Sequence, residues 1–332
     1  MLDCNSAEWC ILAYLYDLSC NCNILRSREK FAELKRLFSS QCEPSNSTCS
    51  LSDRKFGVDY IANPKKKVDP LTIKLLTENP QNQYNLVCNF LMEVCECNDT
   101  DKLNDIAILC CEFTAQCNSL SAEWLGALTA LCNAGGSNAY HDLVSQVSIE
   151  DQSIYNRLGI FVSIMIARHC FQLQSFVISV AIPSLLKAWE DMKENQSSRE
   201  AEMGARLSCH LLLKLFKTVE AFQPMFYTMG SPSPMPRPST HASGIKYSCD
   251  RHLLSSAHRN ITVGAIIAVL KAILVLDYGN SGKSSSNLDD DDFGLGINLP
   301  AGARIENASL SDFAKHTLKQ VFTFFQFISK KI

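Results

Sequence analysis

Residues 101–133 read DKLNDIAILCCEFTAQCNSLSAEWLGALTALCN, two consecutive runs, 101–117 and 119–133, whose apolar residues recur with helical periodicity. The same pattern appears in residues 7–18, where Trp9, Leu12, Ala13, Tyr16 and the polar Asp17 fall at three- and four-residue spacings. REKFAELKRLF at 28–38 repeats it with charges interleaved. Further helices are expected over 81–97, 151–169, 172–190, 197–222, 261–277 and 308–329, and convincing period-two segments are absent. Ser148…Asp151, Ser197…Glu200 and Ser309…Asp312 have the S-x-x-D/E form of a capping box. Pro183 is expected to divide 172–190 into two helices, because its ring blocks the hydrogen bond of the preceding turn.

Three stretches interrupt the pattern. Residues 43–70 are polar and contain Pro44, Pro64 and Pro70; 224–245 carry Pro232, Pro234, Pro236 and Pro238 at alternate positions; 279–303 are rich in Gly, Ser and Asp. They read as polar loops. The layout predicted is an N-terminal helical hairpin (1–42), a polar linker (43–80), a central helical array (81–222) and a Pro-rich loop (223–245). Buried helices (246–278), an acidic Gly/Ser-rich loop (279–307) and a C-terminal helix (308–332) complete it. Many helices joined by variable loops predict an all-α fold, an irregular α-solenoid or HEAT-like helical array with long polar loops.

Bulk properties narrow the function classes. Hydrophobic residues make up 46% of the 332, ample for a core. Thirty-one basic residues against thirty-four acidic ones give no overall field favouring nucleic acid or an anionic membrane. Sixteen cysteines fall below the ~8–10% that marks short disulfide scaffolds, and many sit inside apolar segments. The start, MLDCNSAEWC, carries Asp3 and Glu8 and lacks a basic n-region. The Asn-x-Ser/Thr matches at Asn46, Asn98, Asn195, Asn260 and Asn307 therefore carry little weight, and a reducing compartment is expected. The most apolar run, 261–276, is too short for a ~30 Å hydrocarbon core and is interrupted by Lys271; a buried helix accounts for it better.

Chemical motifs mostly dissolve on inspection. ILVLDYGNSGKSSS at 273–286 suggests a P-loop, but the position of its first glycine is Asp277, and the SSNLDDDD that follows opens no helix. Asp292-Phe293-Gly294 spells a kinase motif without its glycine-rich loop, strand lysine or HRD loop. Cys20-x-Cys22 and Cys95-x-Cys97 have one intervening residue and no matching second pair nearby. His169-Cys170 and Cys209-His210 are neighbours on helices, so their side chains diverge. Structural core cysteines, no catalytic residues, no metal and no cofactor are expected.

The remaining candidates concern partners. Lys65, Lys66 and Lys67 form a short basic cluster, either an import signal or a solvated loop. Ser231 and Ser233 each precede a proline, as proline-directed phosphorylation sites do. Trp124 and Trp189 are either interface anchors or core residues. Asp250, Arg251 and His252 precede a long apolar run and either contact a partner or, for the aspartate, complement a helix dipole.

Longer blocks carry a resemblance. LNDIAILCCEFTAQCNSLSAEWLGALTALC, FVSIMIARHC, AIPSLL, GARLSCHLLLKLFKT, SCDRHLL and GAIIAVLKAILVL resemble, in order and approximate spacing, the central helical region of the Mediator subunit twelve (Kohtalo) family. The likeness runs from LAYLYDL (12–18), through NPQNQYNLVCNFLMEVC, to DFAKHTL (312–318). It implies a nuclear, non-catalytic subunit of the Mediator kinase module, beside Mediator subunit thirteen, cyclin C and the Mediator cyclin-dependent kinase, tuning RNA polymerase II transcription. No direct nucleic acid and no membrane are implied. The family's kinase-activating segment lies upstream of these blocks, and the ending VFTFFQFISKKI departs from the family pattern. Two other readings remain: a general helical adaptor of the cytoplasm, and an enzyme using the GNSGKS loop through Lys283.

Overall fold

The computed structural model describes residues 42–47, 49, 53–135, 139–193, 199–220 and 244–259. The expected N-terminal hairpin, most of the Pro-rich loop, the acidic loop, the run 261–277 and the C-terminal helix lie outside the described residues. All regular structure among the described residues is helical. In chain order the helices are α1 (Val58–Ala62), α2 (Pro70–Glu78), α3 (Pro80–Glu96), α4 (Thr100–Gln116), α5 (Leu120–Leu131), α6 (His141–Gln146), α7 (Ser153–Ala167), α8 (Leu173–Phe176), α9 (Ile182–Lys193), α10 (Arg199–Glu220) and α11 (Ser248–Arg259).

Local chemistry starts three of these helices in succession. Asp69, Asn79 and Asp99 each accept a hydrogen bond from the backbone N–H two residues on, and Pro70 and Pro80 occupy the first helical position after two of the caps. A short polar side chain satisfies an orphan N–H there, and proline's fixed φ suits the first turn. The stretch 43–80, expected to be a polar linker, is corrected by this: it contains α1 and α2. Tyr60 anchors them, its ring edge-on to Phe113 at 5.1 Å and its hydroxyl accepting from the Asp69 N–H at 3.1 Å.

α7 occupies the centre. It packs against α3, α4, α10 and α11, and its apolar side chains point in every direction, so it is buried all round. Each large aliphatic or aromatic side chain buried here contributes about 1.5–3 kcal/mol relative to exposure. Its polar Ser163 donates to the Gly159 carbonyl at 2.7 Å and so carries no unpaired hydroxyl into the core.

Two expectations about helix ends are refined. α8 and α9 are joined by a π-helical turn, Val177–Ala181, so the helical path continues up to Pro183 without a loop. Before α7, the Asp151 carboxylate rather than Ser148 accepts the Ser153 N–H, at 2.9 Å. No helix among the described residues is long and apolar enough to cross a membrane.

Candidate functional site

Asp250 lies in the first turn of α11, where a carboxylate complements the helix dipole. Its side chain is fully buried and meets Arg168, which ends α7: Nε donates to Oδ1 at 2.7 Å and Nη2 to Oδ2 at 3.2 Å. A buried carboxylate is expensive unless a cation and hydrogen bonds compensate it, and this two-pronged contact supplies both. Arg251 turns the other way, Nη1 donating to the carbonyls of Ile245 at 2.6 Å and Lys246 at 2.9 Å. The helix places His252 next, but its side chain lies outside the described residues. The Asp-Arg pair expected near a helix start is therefore engaged within the chain, tying α11 to α7 and to the strand of backbone before it.

Trp124 is fully buried. Its indole N–H donates to Thr114 Oγ1 at 2.9 Å, Thr114 donates onward to the Cys110 carbonyl at 2.7 Å, and the Phe161 ring meets it edge-on at 5.6 Å. The residue joins α4, α5 and α7. Trp189 lies on α9; its side chain is outside the described residues.

Beside Trp124, Glu123 holds a second buried carboxylate. It accepts from the Ser45 hydroxyl at 2.6 Å and from the Tyr140 hydroxyl. The Ser45 N–H donates to the Ala122 carbonyl at 2.8 Å, so residues 42–47 lie against α5. Gly126 permits that approach: a Cβ there would sit 2.3 Å from the Ser45 carbonyl oxygen. Of the three residues that carry no sequence expectation, Glu123 and Arg168 are ionisable groups within or at the end of otherwise apolar helical runs, a signal present in the sequence; Tyr140, outside any such run, has none. A cleft of about 510 Å³ opens alongside, lined by Ser45, Gly126, Thr129, Asn133, His141 and Ser179 among others. At the end of α5, Lys187 Nζ donates to Asn133 Oδ1 at 2.8 Å and to the Gly135 carbonyl at 3.2 Å.

Most cysteines among the described residues are buried in the core; Cys42 and Cys49 are half-buried and Cys249 is exposed. The twelve in the described residues are all free thiols. Burial pushes Cys88, Cys95 and Cys132 up to about 12, and Cys110 and Cys111 well above the ordinary thiol range. Thiolate is the form that attacks or ligates, so these groups stay as packing thiols at neutral pH. Cys97 donates to the Asp99 carbonyl at 3.3 Å instead of joining Cys95 in a ligand pair. Among the described residues no cluster of three His, Cys, Asp or Glu side chains is placed to hold a metal.

Lys65, Lys66 and Lys67 are exposed in the turn before α2. Lys65 approaches Asp105 at 3.5 Å; Lys66 approaches Asp59 at 3.9 Å and lies over the Tyr60 ring, 4.9 Å from its centroid. Exposed pairs of this kind contribute about 0–1 kcal/mol, so the contacts do not lock the cluster away. Ser231, Ser233, the GNSGKS loop with Lys283 and the Asp292-Phe293-Gly294 triplet lie outside the described residues.

No family model matches the chain, and no solved structure matches it. Comparison with curated proteins is decisive instead. The chain is 41% identical to Mediator of RNA polymerase II transcription subunit 12 of Danio rerio, over 96% of its own length. This chain carries a Mediator subunit 12 segment. The corresponding Homo sapiens protein is 40% identical over 96% of the chain, and that of Drosophila melanogaster 41% identical over 82%. The chain spans 15% of the length of the Danio rerio and Homo sapiens relatives and 11% of the Drosophila melanogaster one. The likeness first read from the blocks at 12–18 through 312–318 thus extends over nearly the whole chain.

Proposed function

We propose that this chain is a non-catalytic scaffold segment of the Mediator kinase module and regulates RNA polymerase II transcription in the nucleus. The observation that carries the reading is 40–41% identity, over 96% of the chain, to proteins named as Mediator subunits of RNA polymerase II transcription. Its partners in this reading are Mediator subunit thirteen, cyclin C and the Mediator cyclin-dependent kinase, with the helices continuing as an irregular α-solenoid or HEAT-like array.

The internal chemistry supports a scaffold. Carboxylates, thiols and the Trp124 indole are spent on holding helices together, while apolar side chains remain on the rim. Leu71 and Leu75, one helical turn apart on α2, are 61% and 42% exposed. Ile178 and Leu186 are also exposed, on the segment through the π turn and α9. Side chains of this kind on a rigid frame suit protein contacts.

Affinity purification of the tagged chain from nuclear extract at moderate salt, with partners identified by mass spectrometry, tests the proposal. Recovery of subunit thirteen, cyclin C and the kinase is expected. A helical, soluble bait that returns other proteins and none of these would favour an adaptor outside Mediator.

A further inference from the structure

Residues 244–250, Gly-Ile-Lys-Tyr-Ser-Cys-Asp, are held by α4 and α7 in the manner of a bound peptide. Asn104 on α4 is fully buried and reads their backbone with both ends of its amide: Nδ2 donates to the Gly244 carbonyl at 2.9 Å, and Oδ1 accepts the Lys246 N–H at 2.9 Å. A side-chain amide used this way satisfies a backbone acceptor and a backbone donor whatever side chains the segment carries. Sequence is then read on either side. One turn before Asn104, Asp101 meets Lys246 Nζ at 3.3 Å. Gly244 has φ +72°, and a Cβ on it would lie 2.4 Å from Ile160 Cδ1, so glycine alone fits against α7. Ile245 is fully buried, and six residues after Gly244 the Asp250 carboxylate reaches Arg168.

We propose that the α4–α7 face is a peptide-recognition groove, filled in cis by residues 244–259, and that this segment docks on it as a ligand docks rather than folding as an inseparable part of the core. The occupant is the chain's own segment, recognised by the pattern Gly-Ile-Lys-x-x-x-Asp running into α11. The polar contacts cluster at the segment's start: one amide reading backbone, one aspartate reading a lysine, one guanidinium reading a carboxylate. The helical part of the segment adds apolar anchors, Leu253, Leu254 and Ala257, buried against α7 and α10. Main-chain hydrogen bonds supply affinity and the flanking side-chain contacts supply specificity, as in other peptide recognition. A peptide carrying the same pattern should therefore occupy the groove in trans when the covalent tether is cut. The inference stands independently of the Mediator assignment.

The test uses the full chain with a specific protease site inserted between Ser239 and Thr240. After cleavage, a fluorescein-labelled peptide of residues 244–259 is added and anisotropy is followed. The cut chain is expected to take up the labelled peptide, while the uncut chain, its groove occupied, takes up little over the same time. Unlabelled peptides with Gly244→Ala or Asp250→Asn should compete at least about tenfold more weakly than the parent, because one adds strain and a clash and the other removes a charge-assisted pair. Asn104→Ala in the cut chain should weaken uptake of the parent peptide similarly. Three outcomes would overturn the proposal: no uptake by a cut chain that keeps its helical circular dichroism; equal competition by parent and variant peptides; or loss of helical signal on cutting.

Discussion

Asp250 and Glu123 are two buried carboxylates that fasten parts of the chain distant in sequence to neighbouring helices, and they are compensated differently. Asp250 has a full cation, Arg168, on both its oxygens. Glu123 has neutral donors, the hydroxyls of Ser45 and Tyr140. In each case a glycine allows the close approach: Gly126 on α5 beneath residues 42–47, and Gly244 within the segment that lies against α7. The difference bears on robustness. Removing one member of an ion pair strands a charge, whereas removing one neutral donor leaves a carboxylate with its other contact.

The largest effect that follows is for Arg168→Met, which keeps the bulk and removes the cation; about 3–5 kcal/mol of stability should be lost in chemical denaturation. A loss below about 1 kcal/mol would mean that the pair is solvated in solution and that the contrast with Glu123 is false. Tyr140→Phe is the matching test of the neutral site. It removes one donor from Glu123 and should lower stability by about 1–3 kcal/mol, less than the arginine change.

Alkaline pH offers a third test. Burial raises the phenol of Tyr155 and the thiols of Cys88, Cys95 and Cys132 to about 12, and burial together with Glu123 also raises Tyr140. Unfolded thiols and phenols titrate near ~8.5 and ~10. The folded chain thus holds protons that the unfolded chain releases. The associated stability is complete below about pH 8.5 and is lost as pH rises towards 12. Urea midpoints should fall steadily between pH 8 and pH 10.5; a flat profile would show that these groups reach solvent. The smallest effect is reserved for the rim: Leu71→Ser, at a side chain 61% exposed, should change stability by no more than about 0.5 kcal/mol. Any loss of partner recovery in that variant would then report on binding rather than folding.

Sequence patterning located the helices that carry the core. The runs 101–117 and 119–133 correspond closely to α4 and α5, because apolar periodicity and buried faces are the same fact seen twice. α1 and α2 are less legible: the polar, proline-containing stretch 43–70 has the composition of a loop, although Asp69-Pro70 is a cap-and-start signal for α2. The place of Asp250 before an apolar run is visible in the sequence, but Arg168 lies 82 residues away and no local rule links the two. Trp124 shows the same boundary. Its helical spacing suited both a core residue and an interface anchor, and its hydrogen bond to Thr114 on another helix places it in the core.

The most direct test of this account is a double-mutant cycle in the full chain with Arg168→Met, Asp250→Leu and both together, measured by urea denaturation. If Asp250 fastens α11 to α7 through Arg168, each single change should be strongly destabilising and the double variant should lie closer to the parent than either single one. Additive losses, with the double variant the least stable of the four, would mean that the two residues act separately and that residues 244–259 are not held by this pair.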